Sequence, residues 1–137
     1  MSNLKVLVPL DGSEKSMHSI NWLKKFFGKE DLEITLINVI EVVYTGEMFV
    51  AESEMGFIEN QSKQVLEKAT KELVGFKFNK LSISGSISDE ILKEAKEGKY
   101  DMIVMTKSSV KGLSRVIGSV TNKVIHNSEV TVVVLPE

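Results

Sequence analysis

Met102-Ile103-Val104-Met105, followed by Thr106-Lys107-Ser108-Ser109-Val110-Lys111-Gly112-Leu113-Ser114-Arg115 and, after two apolar residues, by Gly118-Ser119-Val120-Thr121, sets the architecture of this chain. The opening run is short and continuously apolar, as in a strand covered on both faces. Beyond the loop a helical pattern starts with Val120, Val124 and Ile125. The first turn of a helix offers unsatisfied backbone N–H groups and the positive end of the macrodipole, and a glycine there lets a ligand come close. Lys107, Lys111 and Arg115 in the loop are cations suited to phosphate oxygens. Strand, cationic loop and Gly-Ser helix start together predict an anion site for a phosphate-bearing ligand.

Outward from this stretch, strand and helix signals alternate to both ends. Lys5-Val6-Leu7-Val8-Pro9-Leu10 reads as a first buried strand, and Ser13 as the cap of a helix carrying Met17, Ile20, Leu23 and Phe27. Ile34–Ile40 is a second strand. Glu41–Met55 lacks a clean period and reads as a mobile connection. From Phe57 onward Ile58, Val65, Leu66, Ala69 and Leu73 line one face of a longer helix that Gly75 ends. Leu81–Ser84 is a third strand, Ser88 or Asp89 caps a short helix stopped by Gly98, Asp101–Met105 is the fourth strand and Val130–Leu135 the last. Strands separated by helices imply right-handed crossovers, hence one doubly wound α/β domain over residues 1–137, with a mainly parallel five-stranded sheet and helices on both faces.

At 137 residues such a domain buries roughly two thirds of its unfolded surface. Seventeen Lys plus Arg stand against nineteen Asp plus Glu, for a net charge of −2. That balance speaks against a general nucleic-acid or membrane-surface binder, which needs a concentrated basic face. With no cysteine, disulfides, thiolate chemistry and Cys-ligated metals are excluded. No apolar run approaches a membrane span, and the first apolar run is too short for a secretory h-region, so a cytoplasmic location is expected. His18 and His126 fall on different helices without ligand-spaced carboxylates, and no metal site is expected from them.

In open α/β sheets ligands sit beyond the carboxyl ends of the strands, where the winding reverses. Pro9, Leu10, Asp11 and Gly12 after the first strand, Val39 to Glu41 after the second, and Met105 to Ser119 after the fourth should converge there. The whole ordered set resembles the universal stress protein family. The resemblance rests on Val6-Leu7-Val8-Pro9-Leu10-Asp11-Gly12-Ser13, on Leu36-Ile37-Asn38-Val39-Ile40, and on Gly85 with Asp89-Glu90-Ile91. It continues through Asp101–Met105, Gly112-Leu113-Ser114-Arg115, Gly118-Ser119-Val120-Thr121 and Val130–Leu135.

The resemblance implies strand order 3-2-1-4-5 and an adenine nucleotide (ATP, ADP or AMP) bound at the ends of strands 1, 2 and 4. Asp11 would then face the ribose or adenine, the backbone at Val39 the adenine, and Met105 and Thr106 the pocket floor. Gly118, Ser119 and Val120 would meet phosphate, with Lys111 and Arg115 as the best additional phosphate partners by their chemistry. Nucleotide-binding relatives carry Gly, two residues, Gly, nine residues, then Gly-Ser or Gly-Thr. Here the two earlier glycine positions hold Thr106 and Ser109, and eight residues separate Ser109 from Gly118. A β-branched threonine tolerates neither a positive φ nor close backbone approach. Relatives without the glycines bind no ATP, so the alternative is a regulatory dimer acting through protein partners.

Rival chemistries fail on residues. A phosphorelay receiver needs an acidic pair after the first strand and an Asp ending the third, where this chain has a lone Asp11 and Ser84-Gly85-Ser86. The phosphate loop G-x-x-x-x-G-K-[ST] of P-loop enzymes is missing, and Asp11–Ser16 makes a poor flavodoxin loop. No nucleophile–base pair stands out, so any ATP hydrolysis is expected to be slow. The apolar strand Val130–Leu135 lies at an edge in the expected order, which invites pairing with a second copy as a homodimer.

Overall fold

The computed structural model describes residues 3–41, 52–107 and 117–136. The strands are β1 (Leu4–Pro9), β2 (Leu32–Glu41), β3 (Lys77–Gly85), β4 (Met102–Thr106) and β5 (Thr131–Leu135). The helices are α1 (His18–Phe26), α2 (Glu52–Thr70), α3 (Ile87–Glu97) and α4 (Ser119–Asn127). A 3-10 turn at Lys15–Met17 leads into α1 and another at Lys71–Leu73 follows α2. The strands form one sheet in the order β3-β2-β1-β4-β5, and every pairing is parallel. The expected fold class and strand order are therefore observed.

Alternation along each strand builds two cores from one sheet. Val6 and Val8 of β1, Ile34 and Leu36 of β2, and Val104 of β4 pack with Ile20 and Leu23 of α1 and Leu66 and Ala69 of α2. Leu7, Ile37, Ile103 and Met105 turn the other way, onto Ile91 and Ala95 of α3 and Val124 of α4. The central strands are apolar throughout because both faces are covered. Tyr100, just before β4, donates from its hydroxyl to Glu94 at 2.8 Å, and burial pushes its pKa up to about 12. Among the described residues no helix is long and apolar enough to cross a membrane.

Four local expectations change. Ser13 is not the cap of α1, whose N-cap is Met17 at the end of the 3-10 turn. α2 begins at Glu52, earlier than the apolar spacing indicates, so Glu52–Met55 is helical rather than connecting chain. Residues 42–51 lie outside the described residues. Phe57 is 63% exposed, and the buried stripe of α2 is Ser62, Leu66 and Ala69. The N-cap of α3 is Ser86, not Ser88 or Asp89. Ser86 and Asp89 stand in capping-box spacing, and the hydrogen bonds of Lys123 and Ser86 hold the Asp89 carboxyl below its ordinary value. In α4, Thr121 and Val124 are buried while Ile125 is exposed.

Candidate functional site

The order β3-β2-β1-β4-β5 reverses its winding between β1 and β4, and at that point the chain leaves β1 and β4 in opposite directions. A cavity of about 330 Å³ opens there, within the size range of small-ligand pockets. Pro9, Leu10 and Asp11 continue β1 into it, Val39 comes from β2, Met105 and Thr106 end β4, and Gly118, Ser119 and Val120 open α4. These nine residues, all expected at the site, line one cavity. Ser109, Lys111 and Arg115, expected with them from the loop after β4, lie outside the described residues, as does Gly112.

The β1 wall is a tight turn held by short-range bonds. Asp11 Oδ1 accepts from the Ser13 N–H at 2.8 Å and from the Ser13 hydroxyl at 2.5 Å. Ser13 Oγ in turn accepts from the Ser16 N–H at 3.2 Å, and the Ser16 hydroxyl donates to the Ser13 carbonyl at 2.8 Å. This is Asx and Ser turn chemistry, and it starts the 3-10 turn before α1. Gly12 has φ +90°, and an added Cβ would come 3.2 Å from Val65 of α2. Only glycine takes that backbone without strain.

The β4 wall is closed by longer-range bonds. The Thr121 hydroxyl donates to the Thr106 carbonyl at 2.9 Å, wholly buried, and the Gly118 N–H donates to the Lys107 carbonyl at 2.8 Å. The Lys107 N–H donates to Leu135 of β5 at 2.8 Å. The strand end and the helix start are thereby fixed to one another whatever path the chain takes between them. Gly118 is the N-cap of α4, in an extended conformation. The N–H groups of Ser119, Val120 and Thr121 follow in the first turn, where an α-helix supplies no acceptor of its own. These three residues line the cavity, at the positive end of the α4 dipole.

The remaining lining joins apolar and polar groups. Ile37 with Ile87 and Ile91 of α3 makes an apolar side, while Ser16, Asn38 and Thr121 add polar atoms. A flat apolar ring and an anionic group would each find a matching side. Among the described residues no cluster of three or more His or acidic side chains is placed to hold a metal ion. α3 and α4, which flank the cavity, are joined at the surface by Lys123 and Asp89 at 3.0 Å. Sequence reasoning missed Ser16, Ile37, Asn38, Ile87, Ile91 and Thr121. For Asn38 a signal existed, since it interrupts the apolar run Leu36-Ile37-Asn38-Val39-Ile40.

Sheet order and crossover pattern define an open, doubly wound α/β domain with a cavity at its switch point. The chain belongs to the universal stress protein family, whose sequence model matches residues 3–136. It is 31% identical to universal stress protein MJ0531 of Methanocaldococcus jannaschii over 96% of this chain and 81% of that protein. The solved structure of MJ0577, from the same organism, matches with a TM-score of 0.77 at 28% identity, covering 98% of this chain and 96% of that one. A family protein of Arabidopsis thaliana solved with AMP bound shares the fold with a TM-score of 0.71 at 19% identity, over 96% and 90% of the two chains.

Proposed function

We propose that this universal stress protein senses an adenine nucleotide by binding it, without efficient turnover, at the carboxyl ends of β1, β2 and β4. The observation that carries the reading is the single cavity shared by Asp11, Val39, Thr106 and the first turn of α4. In this reading the adenine lies toward Val39 and the apolar side, the ribose toward Asp11, and phosphate on the N–H groups and hydroxyl of Ser119. Lys111 and Arg115 supply charge from the loop. The AMP bound by the Arabidopsis relative supports the ligand class. Mg²⁺ enters as an added component of the test rather than as an assigned ligand.

Calorimetric titration with AMP, and with ATP plus Mg²⁺, tests this, with a denatured aliquot checked first for co-purified nucleotide. Saturable micromolar binding, weakened about tenfold by Asp11→Ala or Ser119→Ala, is the expected result. No heat and no carried nucleotide would overturn it and favour the regulatory reading through protein partners. One observation favours that second reading: Thr106, at a position where the family resemblance implies glycine in nucleotide-binding members, is a β-branched residue on the cavity lining and only 7% exposed.

The same reading includes a cytoplasmic homodimer joined along β5. Thr131-Val132-Val133-Val134-Leu135 is an edge without a charge, and its three valines are only half-buried. At the opposite edge β3 carries Lys77 and Lys80, paired with Glu33 and Glu67. Charged edge residues oppose strand addition, so pairing with a second copy is favoured at β5. A monomeric mass in solution would refute this part.

A further inference from the structure

Behind the β1 wall runs a chain of polar groups that join four separate elements. Asn38 Nδ2 lies 2.7 Å from the Leu10 carbonyl oxygen, and Asn38 Oδ1 lies 2.7 Å from Ser62 Oγ of α2. Ser62 Oγ lies 2.6 Å from Ser82 Oγ of β3. The chemistry of the groups fixes the direction of every bond. A carbonyl can only accept, so the amide nitrogen of Asn38 must face Leu10. The amide oxygen then faces Ser62, which has to donate to it. With its proton used, Ser62 accepts from Ser82. The result is a one-way relay of donors, Ser82 to Ser62 to Asn38 to the Leu10 carbonyl, in which each bond polarises the next.

Leu10 is held from its other side too. Its N–H donates to the Ile37 carbonyl at 2.8 Å, extending the β1–β2 ladder past Pro9. Both main-chain groups of Leu10 are thus bound to β2, and the carbonyl carbon belongs to the peptide unit that leads into Asp11. Leu10 and Asp11 both line the cavity. Ser62 is 3% exposed although polar, as a buried hydroxyl must be when it is fully bonded. Ile37 and Val39, the neighbours of Asn38, belong to the core on the α3–α4 side, whereas Ser62 arrives from α2 on the opposite face.

We infer that Asn38 is the positioning residue of the site: its amide, oriented by Ser62 and Ser82, sets the Leu10–Asp11 peptide unit and with it the place of the Asp11 carboxylate. The inference rests on the nucleotide-binding reading for its effect on ligand, but not for the anchoring itself. It also assigns α2 a part in the site, through Ser62 rather than through any contact with ligand.

The test uses the full chain with Asn38→Leu, Ser62→Ala and Ser82→Ala. Three quantities are measured: AMP affinity by calorimetry, the urea midpoint, and the Leu10 carbonyl ¹³C resonance without ligand. Asn38→Leu is expected to weaken AMP on the order of tenfold, the loss of one well-formed hydrogen bond, with Ser62→Ala weaker in effect and Ser82→Ala weakest. The Leu10 resonance should shift in the same order. A merely structural role would lower the urea midpoint while leaving affinity and the Leu10 resonance in place, and that result overturns the proposal. Should Asn38→Leu not fold, Ser62→Ala decides alone, since it keeps the amide and removes only what orients it. If the wild type binds no AMP, the nucleotide reading falls, and an unmoved Leu10 resonance would be needed to bring down the anchoring as well.

Discussion

The two walls of the cavity are built on opposite principles. Past Leu10, which β2 holds, the β1 wall from Asp11 to Ser16 closes within a few residues through Asp11, Ser13 and Ser16, with one backbone angle that demands glycine. The β4 wall makes its bonds across gaps in sequence, Thr121 to Thr106 and Gly118 to Lys107, with β5 held to Lys107. A local turn is specified by its own residues and forms wherever they do. A neck between strand and helix exists only once both have packed. The turn from Asp11 to Ser16 is therefore specified locally, whereas the β4 wall owes its shape to the tertiary fold around it.

Thr121→Val gives the largest effect that separates the walls. It keeps the shape of the side chain and removes the donor, leaving the buried Thr106 carbonyl without its partner. An unmet buried acceptor costs about 1–3 kcal/mol, to be read as a lower urea midpoint with an unchanged slope. On the other wall Gly12→Ala places a Cβ on a φ of +90° and 3.2 Å from Val65. The expected loss is about 1–2 kcal/mol, from the left-handed backbone. If Gly12→Ala proved the more damaging by a clear margin, the contrast between a local and a tertiary wall would not stand. Amide exchange sharpens it further: Thr121→Val should speed exchange at Gly118, and Gly12→Ala should leave Gly118 untouched.

The same contrast explains which features the sequence displays. β1 and β4 are plain to read because strands covered on both faces are continuously apolar, and the sheet order followed from the family resemblance that these strands carry. The Asp11-Gly12-Ser13 turn is legible for the same local reason. What escaped were polar residues whose partners lie far along the chain. Ser62 occupies the buried stripe of α2, a place where the apolar spacing shows only a polar residue. Its partner Asn38 is 24 residues away, and Asn38 reaches Leu10 across 28. Thr121, bonded to Thr106 across 15 residues, was hidden in the same way. Ser88 and Asp89 read as the cap of α3, where Ser86 holds that position, because all three are capping residue types.

The smallest expected effect concerns the brace behind the β4 wall, the Lys123–Asp89 pair that ties α4 to α3. Asp89 is held below its usual 3.8, first by the hydrogen bond and charge of Lys123 and then by Ser86, and its side chain is exposed. For a carboxylate whose folded pKa is lowered, the stabilisation is complete above the unfolded value and fades as pH falls through the folded one. Its window therefore lies below about pH 4, the unperturbed aspartate value. Solvent and salt screen an exposed pair, so denaturation will not resolve it. The Asp89 carboxyl resonance will: its titration midpoint should sit below that of an ordinary aspartate and rise toward it in Lys123→Met. Because Ser86 remains, the midpoint in that variant should stop short of the unperturbed value. A midpoint indifferent to Lys123 would mean that α4 is placed by the Thr121–Thr106 bond and the core beneath it, with no help from the surface, and the tertiary wall would then depend on its buried bonds alone.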